Sequence, residues 1–401
     1  MRAWPRVPLK HVVDINRRVL PENTPPDTEF RYIDISTCGR GRLEAEPQSM
    51  RFADAPSRAR RLVRQGDTII STVRTYLRAV WPVAGPADDL VVSTGFAVLS
   101  PRGQLDPRFL GWVAQSDLVI AEIVARSVGV SYPAINGLEV GELQVPVPDL
   151  AVQRAIAEYL EAEAVRMDTL LAARSRQREL LRDHRQAFRD QLLADMPSTQ
   201  RRLTHLLNGP ISDGPHETPE FMDEGVPFLS VDNMVEDQLS FYGCRRISPQ
   251  AHETYSRKSS PRRGDVLVTK AASVGRIALV ETDEPFSVWS PLAILHPDPS
   301  VILPAFLREV LLGSEAQSSM RLAATSNTQE NLSMRDLAAL RVRVPDLGEQ
   351  DRIVRASLAE SERVASMQTV LARQIALLTE RRQALVTAAV TGQFEIPGVA
   401  A

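Results

Sequence analysis

The feature that most limits how this chain can fold is a repeat with a fixed step. Val147-Pro148-Asp149-Leu150-Ala151-Val152-Gln153-Arg154-Ala155-Ile156 returns as Val344-Pro345-Asp346-Leu347-Gly348-Glu349-Gln350-Asp351-Arg352-Ile353, 197 positions later. The same step relates Leu180 to Leu377, Leu181 to Leu378, Gln186 to Gln383 and Ala187 to Ala384, so neither copy carries an insertion after the motif. Loops drift in length between copies; a stretch that keeps its length is a spacer. Each motif opens a long run of helical spacing. Asp149 is placed as an N-cap, and the first helix is predicted from there to about Ala194, ahead of Pro197. In 3-4 register Leu160, Ala164, Met167, Leu171, Arg174, Arg178, Leu181, Arg185, Phe188 and Leu192 share one stripe. Its arginines spoil a self-pairing seam, and the matching positions of the second helix, Leu371, Ile375 and Arg382, differ from it. Two unlike stripes predict two helices packed on each other rather than two helices covering separate sheets.

What precedes each motif reads as mixed α/β. Phe30 to Ser36 alternates as a strand; Gly66-Asp67 is a turn before the apolar run Thr68-Ile69-Ile70-Ser71; Leu90 to Leu99 is a further strand region. Asp106 to about Arg126 has the apolar spacing of one helix, and a loop from Val128 to Asn136 leads to a strand ending at Val147-Pro148. The second half restarts the series. Arg202 to Leu207 matches Pro8 to Val13 at a step of 194, Gly264 to Lys270 answers Gly66 to Thr72 at 198, and Ser326 to Leu332 stands opposite Gly129 to Ile135 at 197. A unit of about 200 residues is too long for a solenoid repeat of roughly 20 to 50. It implies two similar domains related by an approximate two-fold axis, with loops that differ on a common frame.

Composition excludes more than it selects. No apolar run approaches the roughly 18 residues of a membrane span, and the N-terminus lacks a signal-peptide core, so a cytoplasmic location is expected. Cys38 and Cys244 have no metal-ligand spacing and are expected as small buried or half-buried residues. The net charge is −3, and residues 1–148 hold 18 basic and 16 acidic side chains against 15 and 18 in residues 197–345. Bulk charge is therefore no attractant for a polyanion. Only Lys10, Lys258 and Lys270 are lysine among 47 basic residues. Arginine's planar fork suits phosphate and the guanine edge, although a G+C-rich coding sequence produces the same bias.

A search for catalytic constellations finds none. There is no phosphate loop, dinucleotide turn, His-Glu-x-x-His helix or nucleophile elbow, and Asn23-Thr24-Pro25-Pro26-Asp27 does not supply the motif of an amino-methyltransferase. No metal site is expected. What remains are polar loops at matching places. Arg40, Arg42, Arg74, Tyr76, Arg78, Tyr132 and Asn136 form the first set; Asp213, His216, Thr218, Lys270, Ser273, Arg276, Asn327, Gln329 and Asn331 form the second. Arginine reads guanine, asparagine and glutamine read adenine, and small hydroxyls and lysine hold phosphates. The same residues would also serve as solvated surface.

The order of these pieces resembles the DNA specificity subunit of type I restriction-modification systems over nearly the whole chain. The resemblance rests on Tyr32-Ile33-Asp34-Ile35-Ser36, on Gly66 to Arg74, on Asp213-Gly214-Pro215-His216-Glu217-Thr218-Pro219 and on Gly264 to Arg276. Both Val-Pro-Asp-Leu helix openings and Ala389-Val390-Thr391-Gly392-Gln393 complete it. Glu330 stands where that family often has proline, and Ala272 where glycine is usual. The resemblance implies an α/β (α+β) fold with target recognition domains at 1–147 and 197–344. Long spacer helices at 148–196 and 345–401, the latter with the C-terminal tail, would form an antiparallel coiled coil with internal pseudo-two-fold symmetry. It implies a non-catalytic chain that binds an asymmetric, bipartite double-stranded DNA target. Methylation from S-adenosylmethionine would belong to modification subunits, two of them, and Mg- and ATP-dependent translocation and cleavage to restriction subunits, with no cofactor held by this chain. Arg174, Arg178, Leu181, Phe188, Leu371, Ile375, Leu378 and Leu385 are the helix positions expected to meet partners. Two alternatives stay open: a structural adaptor that never touches DNA, and the specificity chain of a related system whose partner fuses methyltransferase and nuclease.

Overall fold

The computed structural model describes residues 4–129, 132–326 and 330–396. The chain divides into two compact units, Met1–Ser175 with Ala372–Ala401, and Arg176–Leu371. The divisions fall inside the two long helices, so each unit holds the opening part of one and the closing part of the other.

The first unit contains two four-stranded sheets. In one, Val13–Ile15, Phe96–Pro101, Thr68–Ser71 and Val80–Pro82 lie in that order and all pair antiparallel. In the other, the order is Gln48–Arg51, Glu29–Ile33, Leu90–Ser93, Ala59–Leu62, with the central pair parallel. Helix α1 (Pro107–Gln115) begins at Asp106, whose carboxylate caps the amides of Arg108 and Phe109. It buries Phe109, Leu110 and Val113 among Ile70, Val80 and Leu99 of the first sheet. α2 (Asp117–Arg126) and the short α3 (Gly137–Gly141) follow, then α4 (Leu150–Ala194). Ile156 and Leu160 of α4 and Val386 and Val390 near the chain's end join the same core.

In the second unit the two larger sheets are Ser212–Asp213, Leu292–Leu295, Val266–Thr269, Ile277–Leu279, and Arg245–Ile247, Val226–Leu229, Ser287–Val288. Its helices are α5 (Pro249–Ser256), α6 (Pro304–Leu312), α7 (Ser314–Ala323), α8 (Met334–Ala339) and α9 (Leu347–Thr391). Where α5 follows the strand Arg245–Ile247, the first unit has only the 3-10 turn Phe52–Asp54 after Gln48–Arg51. By contrast α1 and α6, α2 and α7, and α4 and α9 are offset by 197 at both ends, and α4 and α9 each have 45 residues.

The repeated motif has a structural cause. Gln153, fully buried, donates through Nε2 to the carbonyls of Pro148 (2.7 Å) and Gln104 (3.0 Å) and accepts the Asp106 amide (2.8 Å). Gln350, also fully buried, does the same with Pro345 (3.0 Å), Val301 (3.1 Å) and the Leu303 amide (2.8 Å). Every partner is offset by 197. A primary amide offers donors and an acceptor at once, so one side chain ties the start of the long helix to the loop and helix that precede it.

In each unit the two long helices run antiparallel. Arg382 Nη1 meets Asp168 at 2.7 Å in the first, and His184 Nε2 meets Glu360 at 2.9 Å in the second, early positions of one helix opposing late positions of the other. All ten residues of the α4 stripe are buried or half-buried. One expectation is corrected: 106–126 is two helices, not one. Ser116 adopts φ −66° and ψ 149° between them, and its hydroxyl donates to the Val113 carbonyl at 2.6 Å. Apolar spacing continues across the break and hides it. Cys38 is buried, Cys244 half-buried, and neither is in a disulfide.

Candidate nucleic-acid interface

Two loops of the first unit meet at one tip. The segment after the strand Thr68–Ser71 is a 3-10 turn, Thr75–Leu77, flanked by Arg74 and Arg78 in left-handed backbone, φ +50° and +54°. Thr72 O accepts the Ile135 amide at 2.8 Å, Val73 bridges to Ala134, and the Thr75 and Ser127 hydroxyls lie 2.9 Å apart, which brings Ser127 and Ala134-Ile135 alongside. There the Arg74 guanidinium carbon stands 5.0 Å over the Tyr132 ring. Tyr76 (54%) and Tyr132 (65%) are exposed, with Val128 and Leu77 beside them in sequence also exposed. A cation over an aromatic face gains about 0.5 to 1 kcal/mol at an exposed site, enough to bias the orientation of a long side chain.

The other predicted residues of this unit have structural partners. Arg40 donates to the Gln115 carbonyl (2.9 Å from Nε) and to Asp117 (3.0 Å), closing the corner between α1 and α2; Arg78 approaches the same Asp117 at 3.6 Å. Arg42 pairs with Glu44 at 3.1 Å, and both line a cleft of about 500 Å³ with Asp168, Ser175 and Arg382 of the long helices. Asn136 caps α3 in a capping box with Glu139. Thus Arg74 and Tyr132 come together, Tyr76 is exposed on the turn that follows Arg74, and Arg40, Arg42 and Asn136 serve elsewhere in the unit.

The equivalent loop of the second unit keeps the frame and changes the residues. Ser71 N donates to Ala79 O across the first loop and Thr269 N to Arg276 O across the second, both at 2.9 Å, so the second loop is one residue shorter. Its left-handed positions are Ala272 (φ +65°) and Gly275 (φ +93°) where the first has the two arginines. Ala272, in place of the usual glycine, therefore carries backbone strain of its own. Arg276 Nη1 donates to the carbonyls of Val231 and Met234 at 3.2 Å each, and Ser273 accepts the Thr269 hydroxyl through its carbonyl. Asn331 bridges to Ala271, and Thr218 is exposed. Asn327 and Gln329 lie outside the described residues.

His216 and Lys270 converge on Asp213, at 3.2 Å each, and Lys258, which no motif singled out, reaches the same carboxylate at 3.5 Å. The turn is held by Gly214: a Cβ there would stand 1.8 Å from the Val288 carbonyl oxygen. Beside it the Tyr255 hydroxyl donates to Glu217 at 3.2 Å, and burial together with that carboxylate pushes the phenol's pKa up. Phe221, Phe228 and Trp289 form an aromatic cluster with Arg245 over the Phe221 ring at 4.5 Å. That cluster was not legible because Phe221 and Trp289 are 68 residues apart with no motif around either.

Along the helices, Arg174, Arg178, Leu181, Phe188, Leu371, Ile375, Leu378 and Leu385 are all half-buried. The large apolar side chains that α4 and α9 leave in solvent are others, among them Val165, Leu170 and Leu377 in the first unit and Leu180, Met367 and Val370 in the second. Nothing in the described residues forms a group of three or more His, Cys, Asp or Glu side chains able to hold a metal. Burial, with Glu44 nearby, pushes the Cys38 thiol up to about 12, which removes it as a nucleophile. No described helix is long and apolar enough to cross a membrane.

Two mixed α/β frames, each closed by a glutamine onto a shared pair of long helices, define a fold that the comparisons place with the specificity subunits of type I restriction-modification systems. A chain from a structure of the complex assembly and conformational transition of a type I R-M system superposes with a TM-score of 0.74 at 25% identity, covering 98% of this chain and 99% of that one. The HsdS subunit of Thermoanaerobacter tengcongensis superposes with a TM-score of 0.51 at 26% identity, over 98% and 97%. In sequence, the chain is similar to the type I restriction enzyme EcoBI specificity subunit of Escherichia coli, 23% identical over 262 residues. That match covers 59% of this chain and spans about half, 55%, of the curated relative. No family model matches the chain.

Proposed function

We propose that this chain is the sequence-reading subunit of a type I restriction-modification complex, binding an asymmetric, bipartite duplex target and directing methylation and restriction by partner subunits. The observation that carries the reading is one frame built twice with different side chains at the same loop positions: Arg74 and Arg78 against Ala272 and Gly275. A structural adaptor has no need of two unlike loop sets on one scaffold. The domains at 1–147 and 197–344 each present loops to a major groove, with Arg74 beside Tyr132 as the leading base contact of the first. The helices of 148–196 and 345–401 act as the ruler: 45 residues at 1.5 Å per residue span roughly 68 Å, and neither helix can shorten without the other. Modification subunits dock on the helix faces, and they and the restriction subunits use S-adenosylmethionine, ATP and Mg; this chain supplies specificity and no catalytic group. The near-neutral charge of each half fits a complex in which partners supply much of the phosphate attraction.

Single-molecule methylome sequencing of cells with and without the chain tests the function: a split motif should vanish with it. Purified complex that assembles yet retains no duplex DNA sequence-specifically would sink the reading. Deleting one heptad from both helices should change the gap and neither half-site; altered half-sites with an unchanged gap would refute the ruler. Arg74→Ala should relax one base pair of one half-site at a cost of about 1 to 3 kcal/mol. Uniform weakening on all sequences would mark Arg74 as a phosphate contact instead.

A further inference from the structure

We infer that the second unit carries a backbone-phosphate clamp built on Asp213, with Lys270 as the buried positioning residue and Lys258 and His216 as the groups that meet a phosphodiester of bound DNA. The inference rests on the DNA-reading function proposed above and adds which contact the second unit makes outside the bases. Asp213 and Lys270 each leave only 11% of the side chain exposed and pair at 3.2 Å, whereas Lys258 and His216 are 68% and 69% exposed. The buried pair neutralises itself. Lys258, at 3.5 Å from the other carboxylate oxygen, then stands over an anion already matched, so its charge is in excess at the surface. An ammonium has three donors and the carboxylate engages it only at this long distance, which leaves donors for a phosphate oxygen.

The frame around the group is rigid. Lys270 N donates to the Pro291 carbonyl at 2.8 Å, and its own carbonyl accepts the Leu332 amide at 2.7 Å. Gly214 packs on Val288 with no room for a side chain, and the Tyr255 hydroxyl donates to the adjacent Glu217 at 3.2 Å. Residue chemistry selects the ligand. Two of the chain's three lysines meet here, in a protein that otherwise draws its positive charge from arginine. A lysine ammonium is a compact point charge that can meet a phosphate oxygen without the planar alignment a base edge demands of an arginine fork. The first unit has no such group at this place: Thr72, whose carbonyl accepts the Ile135 amide as that of Lys270 accepts Leu332, stands in its position.

The test is the salt dependence of duplex binding by the full chain in its complex with the modification subunits. Lys258→Met should lower the slope of log affinity against log salt by about one, weaken target and non-target duplexes by the same factor, and leave the methylated sequence unchanged. Lys258→Arg should keep the slope. Because Lys258 is exposed, its loss is not a folding defect, and an unaltered thermal melt of the variant checks this. An unchanged slope in Lys258→Met, or a changed base preference at the second half-site, would overturn the clamp while leaving the DNA-reading function intact. Absence of salt-dependent DNA binding by the unsubstituted complex would overturn both.

Discussion

Trp112 in the first unit and Glu309 in the second occupy the same place in the repeat, 197 residues apart, on the helices that dock each sheet against the long pair. Trp112 packs, half-buried, on the core cluster that also holds Leu160 of α4 and Val386 of α9. The residues in those two positions for Glu309 are Ser357 and Arg189. There the Glu309 carboxylate accepts from Arg189 Nε at 2.9 Å and from the Ser357 hydroxyl at 2.6 Å, with Arg308 at 2.7 Å on its other oxygen. At these positions the first unit places apolar core residues and the second a buried ion-pair network. The repeat preserves where a helix docks and leaves open how. An apolar contact tolerates a slip or a different partner; a buried carboxylate does not, since any other neighbour leaves an uncompensated charge. The two units are thus not interchangeable at this position, although the frame repeats.

Unpairing the polar socket should have the largest effect. Glu309→Leu leaves Arg189, only 5% exposed, without its main counter-charge, and should cost about 3 kcal/mol, the low end for a broken buried pair because Asp237 remains 3.6 Å from Arg189. Urea unfolding with hydrogen exchange on α6 reads both the loss and its location. Adding Arg189→Val and Ser357→Leu and placing Trp at 309 copies the first socket into the second; this triple variant should recover most of the loss. A triple variant as unstable as Glu309→Leu would show that the two sockets do not share a geometry.

The same comparison has a pH signature. Burial raises the Glu309 pKa, but the charges of Arg189 and Arg308 and the bonds from Ser357 and Arg189 outweigh it and leave the group below its usual 4.5. A depressed folded pKa means stabilisation that is present above the unfolded value and lost as pH falls through the folded one. Protection of α6 should therefore decline as pH drops below about 4.5 and should lose that dependence in the triple variant. Trp112, Leu160 and Val386 do not titrate, so α1 should not show the dependence from these three positions.

Gln153 and Gln350 are the case where the units agree. Each makes three hydrogen bonds in a fully buried setting, so Gln153→Leu and Gln350→Leu should each cost about 2 to 3 kcal/mol, and by similar amounts. Unequal losses in urea melts would mean that one staple is dispensable and the shared motif only local. These glutamines also show what could be read before the fold was seen. Their spacing, the start of both long helices and the end of the first were legible from the repeated motif with its step of 197 and from Pro197, without tertiary knowledge. Their roles did not, because the acceptors and donors they serve lie 47 to 49 residues upstream. Arg40 looked like a loop arginine for the same reason: its acceptor, the Gln115 carbonyl, is 75 residues away. Lys258 was passed over, its carboxylate partner lying 45 residues back. Arg74 with Tyr132 was legible as two polar loops at matching places, and their contact at 5.0 Å was not.

The smallest effect separates strain from function at the two loops. Ala272 and Arg74 both sit in left-handed backbone, a conformation that costs a side-chain-bearing residue about 1 kcal/mol or more and glycine nothing. Glycine also has more freedom to lose on folding, which offsets part of the relief. Ala272→Gly should therefore stabilise the second unit by a few tenths of a kcal/mol to about 1 kcal/mol and leave the methylated sequence untouched, as alanine offers no polar group to a base. Arg74→Gly should gain a similar stability in the first unit and lose discrimination at one base pair. Stability gained without loss of discrimination would mean that the Arg74 backbone is strained for packing alone, and the leading base contact of the first unit would have to be sought at Tyr76 or Arg78. Strain at equivalent positions, with a functional consequence at one of them, is what the proposed pair of unlike readers on one frame requires.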